Sequence, residues 1–369
     1  MKEAKPFDFA IIGAGASGLQ LLFHLIHSKS NPQLSILLID SGDRSSKSWC
    51  FWNDNPSNCF PFLIEKSWSQ MNYCDSQNQT IQKSISPYSY HYISSERFFN
   101  YFFQEFIPSH KNIQVVKALA TNLQENPNFV SIACDNGKIY SAIKVADSRR
   151  DAAQKVSIFQ HFKGKFIEFD DPILNSDVLT LMDFSGHFST NQSAVFHYIL
   201  PFSENLALIE TTIFTQLEFD PTQYDHIWKE YINTKFPGKK FKIVSEEHGS
   251  IPMQKLRSIT SDRIIRIGIA GGNLKPSTGY AFVRMNEHAK AIAENLTYKK
   301  PQRFDFYDRM LLGVIKYEIN QIPFVMDRLF SRVPFSDILC FLDDKSTFSD
   351  EIKLLSKLDI PLFLRQLLR

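Results

Sequence analysis

Two stretches of this chain carry residue types that do chemistry. The first is Gly13-Ala14-Gly15-Ala16-Ser17-Gly18, a GxGxxG run between an apolar strand pattern at 9–12 and a helical pattern at 17–28 with Leu19, Leu22, Leu25 and Ile26 inward. Such a loop offers free N–H groups at a helix start to a pyrophosphate. Gly13 makes the tight turn, Gly15 lets the backbone approach the phosphates, and Gly18 lets helix and strand close up. A second strand pattern at 35–39 ends on Asp40, at the spacing that brings a carboxylate to the ribose of an adenine nucleotide. These residues predict dinucleotide binding and do not separate FAD from NAD.

The second stretch is a strand pattern at 206–214, whose alternation sets Leu206, Leu208, Glu210, Thr212 and Phe214 on one face. Glu210 is then an acid among apolar neighbours. On a dry face, lost hydration raises its pKa and poises it as a general acid or base; on a wet face it is merely solvated. Three other side chains are candidates for proton or phosphate work. His248 precedes the turn at 249–252 and suits proton relay where it lines a cavity. Asp183 ends a strand pattern, where an aspartate handles a proton or fixes a turn. Arg97, beside the Phe98, Phe99, Phe102 and Phe103 stripe of a helix at 94–106 capped by Ser94 or Ser95, pairs with a phosphate or an acid.

The elements that must position these residues follow from pattern. Short strands at 113–146 with a turn at Asp135-Asn136-Gly137 end on Asp147 and return to the nucleotide-binding sheet, making that unit discontinuous. Residues 151–250 alternate as strands and predict an inserted antiparallel sheet. An apolar strand at 262–269 feeds Ala270-Gly271-Gly272 and Pro276-Ser277-Thr278-Gly279-Tyr280 before a helix, a second strand, glycine turn and helix suited to phosphate or flavin. From 304 onward, helical rhythm is broken by Pro323, Pro334 and Pro361.

The 369 residues suffice for two domains or one large domain with insertions, and 43% hydrophobic content supplies a substantial core. A net charge of +2, from 41 basic and 39 acidic residues without a basic block, argues against a nucleic-acid partner. Five cysteines without CxxC spacing indicate neither a disulfide framework nor a zinc site and fit a reducing cytoplasm. The first strand starts within ten residues of Met1, which leaves no room for a cleaved signal peptide, and no apolar run reaches membrane-spanning length. The expectation is a cytoplasmic protein, with any membrane contact peripheral and at the inner face. The 33 phenylalanines serve a core first and, as a set, suit a long apolar ligand.

Several segments, in order, resemble the lycopene beta-cyclases, flavoproteins that close beta-ionone rings on linear carotenes. Ser48-Trp49-Cys50-Phe51 is similar to the family's T-W-S-F, and Tyr90-His91-Tyr92-Ile93-Ser94-Ser95-Glu96-Arg97-Phe98 to its Y-x-x-I-x-S-x-R-F. Met182-Asp183-Phe184 resembles M-D-F/W, Leu208-Ile209-Glu210-Thr211-Thr212 resembles L-x-E-E/D-T, and Glu247-His248-Gly249-Ser250-Ile251-Pro252 resembles E-x-G-x-I/L-P. Gly271-Gly272 with Pro276-Ser277-Thr278-Gly279-Tyr280 matches the late flavin element. Three positions depart from the pattern: Thr211 stands where a second acid is usual, Lys275 where many members have His, and Arg150 where the D-x-R-G element has glycine.

The resemblance implies an α/β fold like that of p-hydroxybenzoate hydroxylase, with a Rossmann-type FAD-binding domain at 1–60, 94–150 and 255–300. A substrate domain with an inserted antiparallel β-sheet is expected at 61–93 and 151–254, and a helical C-terminal region at 301–369. It implies FAD, active when reduced and kept so by NAD(P)H, held by Gly13, Gly15, Ser17, Gly18, Asp40, Trp49, Arg97, Asp147, Gly271, Gly272, Ser277, Thr278, Gly279 and Tyr280. Glu210, His248 and Asp183 are the expected catalytic residues, a lipophilic linear carotene the substrate, and no metal is involved. The reaction is redox-neutral: a proton reaches the terminal double bond, a ring cation forms, and a neighbouring proton leaves. An anionic flavin about 4 Å from that cation would contribute roughly 4 kcal/mol at an effective dielectric of about 20, and a ring such as Trp49 or Phe51 about 2 kcal/mol. Two other readings are a flavin monooxygenase on the same fold and a non-catalytic carotenoid- or flavin-binding protein.

Overall fold

The computed structural model describes residues 5–28, 33–44, 47–55, 59–150, 154–218, 220–256, 258–298 and 301–368. Its first sheet is built on continuous apolar strands, which a parallel sheet buries on both faces. Phe7–Ile12 lies between Ile36–Asp40 and Ile139–Asp147, both parallel to it, and Ile113–Lys117 extends the parallel run beyond Ile36–Asp40. Val130–Cys134 and Ala120–Glu125 continue the other side antiparallel, and Ile264–Arg266 returns late in the chain to pair parallel with Val145–Asp147. The helix Ala16–His27 packs against the helix Phe282–Ala293, so the first and last pieces of this unit share one core.

The second sheet has seven strands in the order Phe241–Pro252, Phe159–Phe169, Leu206–Thr215, Ser193–Pro201, Val178–Asp183, Gln70–Cys74 and Thr80–Ser84. Its alternation is two-sided. Ile209, Ala207 and Ile167 pack under the helix Pro221–Lys235, whereas Leu208, Phe196 and Phe214 face the C-terminal helices. The expected antiparallel sheet is in fact mixed, because Val178–Asp183 runs parallel to Gln70–Cys74. That strand comes from early in the chain and joins across a long connection, which local alternation cannot register. A small third sheet pairs Ser48–Asn53 with Ser89–Ser94 and Lys66–Trp68, so it crosses the expected domain boundaries at 60 and 93.

Ser94 caps the following helix, its Oγ accepting from Arg97 N at 3.2 Å, and after Asn100 the helix widens to π geometry over Tyr101–Phe106. The prolines do as expected at the C-terminal end: Pro323 and Pro361 sit in the first turns of Ile322–Arg332 and Ile360–Leu364, and Pro334 caps Phe335–Leu342.

Candidate active site

The glycine loop is set by contacts that only some positions impose. Gly13 has φ of +95°, and a Cβ there would fall 2.1 Å from Ser148 Oγ. Gly15 has an ordinary φ of −77°, and a Cβ on it would meet nothing within 4 Å. The second glycine is thus not required by the fold itself; it leaves open the space in front of a helix start that no side chain caps. Asp40 holds this loop in place, its carboxylate accepting from Ala14 N at 2.7 Å and Gly42 N at 2.8 Å.

From the loop a cleft runs between the two sheets, with Gly15, Ser17, Trp49, Thr278, Gly279 and Tyr280 in its wall. The same wall contains Glu210 and Glu247. Beyond it lies an apolar cavity of about 350 Å³ between the second sheet and the C-terminal helices. Gln160, Tyr198, Thr278 and Tyr280 line both spaces and so mark where they meet. At this junction Tyr280 donates to or accepts from Tyr90 at 2.9 Å and stands edge-on to Trp52 at 4.4 Å. Gln160 Oε1 and Thr278 Oγ1 are buried there without a hydrogen-bond partner among the described residues. An uncapped helix start, an open Gly15 and two unpartnered polar atoms along one cleft fit a dinucleotide with a polar ring at its far end.

Glu210 sits at that far end. Its residual accessibility is to the cleft interior, and its Oε1 accepts from Thr212 Oγ1 at 2.6 Å. Burial, reinforced by the nearby Glu247 carboxyl and opposed by the Thr212 hydroxyl, pushes its pKa up to about 8. Glu247 is buried, also raised by burial, and accepts from Ser48 Oγ at 2.7 Å. A carboxyl kept neutral next to Tyr198, at the junction with an apolar cavity, is equipped to give a proton to a ligand that reaches that junction.

A profile of the lycopene cyclase protein family matches residues 8–366. The chain belongs to the lycopene cyclase family. Two curated relatives, neoxanthin synthases of Solanum tuberosum and Solanum lycopersicum chloroplasts, are 23% identical over 310 residues, covering 78% of this chain. The match spans 60% of the length of those relatives. Among solved structures, a geranylgeranyl bacteriochlorophyll reductase-like protein of Thermoplasma acidophilum shares the fold at TM-score 0.62 and 13% identity, over 98% of both chains. A p-nitrophenol 4-monooxygenase of Pseudomonas putida does so at TM-score 0.59 and 11% identity, over 98% of this chain and 97% of its own. HpxO of Klebsiella pneumoniae, solved with FAD, does so at TM-score 0.58 and 12% identity, over 96% of this chain and all of its own. The fold is that of the FAD-dependent hydroxylases, as expected from p-hydroxybenzoate hydroxylase.

Against this family pattern, the structure separates the expected site residues. Asp183 is on the far face of the second sheet from Glu210, buried and fixed by Tyr231 Oη and Lys235 Nζ, each at 2.8 Å, so it lies outside the cleft. His248 pairs with Lys163 in the ladder, on the opposite side of its strand from Glu247, and is exposed, yet it is among the residues that line the same cleft. Arg97 donates to the Phe62 carbonyl at 2.9 Å beside a separate surface groove and is not in the cleft wall. Asp147 is clamped by Arg149 and Arg266, so its carboxylate braces the sheet end. Gly13, Gly18, Gly271 and Gly272 shape the loops behind the wall, and Ser277 donates to Asp308 at 2.6 Å. Phe51 packs away from the cleft against Phe282 and His91, while Trp49 remains in the wall.

The three departures have physical readings. Thr211 faces the His197 side of the sheet because neighbouring strand residues point oppositely, so an acid there would not share the cleft with Glu210. The acid that does share it is Glu247, two strands away, which sequence alternation alone missed because only the strand register brings it there. Arg150 joins Lys47 and Ser148 in the cleft wall, adding a cation to it. Lys275 is buried between Asp308 at 2.8 Å and Asp344 at 2.7 Å, with Arg284 also on Asp344, and ties the late loop to the C-terminal helices. Lys275→Ala leaves two buried carboxylates short of a cation and is expected to cost about 3 kcal/mol in urea unfolding. A loss below about 1 kcal/mol would contradict that role.

Proposed function

We propose that the chain is a carotenoid cyclase that forms beta-ionone rings on a linear carotene by redox-neutral acid–base chemistry, as an intramolecular lyase or isomerase. The observation that carries this reading is the position of Glu210, a carboxyl in the wall of the dinucleotide cleft whose cross-strand partner Tyr198 lines both that cleft and the apolar cavity. The dinucleotide is FAD, kept reduced by NAD(P)H; when bound, it supplies an electron-rich ring that favours a nearby positive charge. The cleft wall of Gly15, Ser17, Trp49, Thr278 and Gly279 holds it.

The apolar cavity takes one end of the polyene, with Phe196, Phe214, Met326 and Leu329 excluding water that would capture a cation. Glu210 gives its proton to the terminal double bond, the ring closes, and the neighbouring carbon returns a proton to the Glu210 carboxylate. Tyr280, Tyr90 and Trp52 present ring surfaces near the junction, where a desolvated cation gains about 2 kcal/mol. Chromatography of pigments from lycopene-accumulating cells expressing the chain tests the activity: ringed carotenes in place of the linear one are expected, and unaltered bound pigment would contradict it.

The substrate reaches the cavity from a membrane surface. No helix among the described residues is long and apolar enough to cross a bilayer. The helix Phe348–Leu355 turns Leu354 and Leu355 into the cavity and exposes Phe348 and Ile352, and Ile360 and Leu364 are both exposed and in the cavity wall. This apolar mouth suits peripheral insertion at the cytoplasmic face. Phe348→Asp with Ile352→Asp is expected to lower co-sedimentation with anionic liposomes at least about tenfold; equal binding would rule the mouth out as the contact.

A further inference from the structure

The space between Glu210 and Glu247 is one strand wide, and the residue that fills it is glycine. Gly164 pairs with Glu210 on one side and with Glu247 on the other. A Cβ on Gly164 would stand 3.5 Å from Glu210 Cβ, 3.5 Å from Glu247 Cγ and 2.8 Å from Leu208 Cδ1. Those two glutamate carbons are therefore at most twice that distance apart, and any other side chain at 164 would wedge them. All three residues share the cleft face, since cross-strand partners point the same way.

Among the described residues neither acid is paired with a cation. Their donors are neutral hydroxyls, Thr212 on Glu210 and Ser48 on Glu247, and among the described residues no Lys or Arg forms an ion pair with either. The other titratable groups facing them are Cys50, Tyr92, Tyr198 and Tyr280, from four different segments, and burial keeps the thiol and phenols neutral. Lys47, Arg150 and His248 are in the same cleft wall, Lys47 within electrostatic reach of Asp40 at the glycine loop and His248 on the other face of its strand from Glu247. Two facing carboxyls without a counter-charge titrate as one unit.

We propose that Glu247 is a positioning residue that shares a single proton with Glu210 across Gly164, so that the pair carries one neutral carboxyl and one carboxylate at neutral pH. This rests on the reading of Glu210 as proton donor. As the Glu210 O–H bond breaks, a C–H bond forms at the end of the polyene. Two carboxylates then face each other across Gly164. Their repulsion is relieved when the neighbouring ring carbon gives up its proton to Glu210, which restores the pair without net consumption of protons or electrons. A lone carboxylate would have less reason to take that proton back.

The test compares wild type, Glu247→Gln and Glu210→Gln, with ring formation measured from pH 5.5 to 9 and the protonated-carboxyl infrared band followed by pH titration. Glu247→Gln removes the facing charge and is expected to move the alkaline limb of the profile down by about one pH unit. Turnover should fall about fivefold at pH 8 and about tenfold at pH 9, and change less than about twofold at pH 6. The infrared band should disappear at correspondingly lower pH. A Glu247→Gln variant whose profile and band coincide with wild type, alongside an inactive Glu210→Gln, would overturn the shared proton and leave the donor role standing. An active Glu210→Gln would instead overturn the donor role itself.

Discussion

Glu210→Gln is expected to lower ring formation by about 10²–10⁴-fold, the range a positioned general acid supplies, while the fold and dinucleotide binding persist. The amide keeps the shape and the Thr212 contact but has no proton to give. Stability checks the same group without any assay of turnover. The Glu210 pKa rises from an ordinary 4.5 to about 8 on folding, so the folded state binds the proton more tightly than the unfolded chain does. The associated stability is complete below about pH 4.5 and is lost as pH rises through about 8. Glu210→Gln should therefore gain melting temperature over wild type progressively across that window. A constant difference between the two proteins would mean that the carboxyl is not held neutral.

The second large effect is expected at Gly15. Because a Cβ there meets nothing within 4 Å and the backbone φ is one that any residue adopts, Gly15→Ala should fold and melt within about 1 kcal/mol of wild type, the cost of losing a glycine N-cap. It would nevertheless occupy the space in front of the uncapped helix start, where the proposed reading puts the pyrophosphate. Overpacking of this kind costs about 1–3 kcal/mol, which is about a 5- to 150-fold weaker FAD affinity in a fluorescence titration. Unchanged affinity would place the dinucleotide elsewhere. Gly13 offers no such separation of binding from folding, since its φ of +95° and the Ser148 contact make any substitution there a folding defect.

The contrast between these two glycines also shows what was legible in the chain. Local rules carried the nucleotide loop, the Ser94 cap, the proline breaks and the inward face of Leu206–Thr215, because each depends on residues a few positions apart. They did not carry the parallel pairing of Gln70–Cys74 with Val178–Asp183, nor the small sheet that joins Ser48–Asn53 to Ser89–Ser94, because these are long-range pairings. The site followed the same division. Glu210 could be marked as an acid among apolar residues, but its neighbour Glu247 is visible only once the register around Gly164 is known. Its sequence neighbour His248 drew attention through its chemistry; it also lines the cleft, but alternates with Glu247 along the strand and is exposed. Asp183 misled for a related reason: a strand-end carboxylate looks the same in sequence whether it faces a cavity or, as here, Lys235 and Tyr231.

The family pattern and the fold pull in different chemical directions, since solved proteins of this architecture include a p-nitrophenol 4-monooxygenase, whereas the chain's own family is that of the lycopene cyclases. Oxygen and solvent hydrogen separate the two. Anaerobic incubation of the protein with reduced FAD and lycopene in deuterium oxide, followed by mass spectrometry of the pigment, should yield a ringed product carrying one solvent-derived deuterium per ring and no added oxygen. Product that forms only with oxygen present and gains an oxygen atom, or rings that form without solvent hydrogen, would contradict proton transfer by a buried carboxyl.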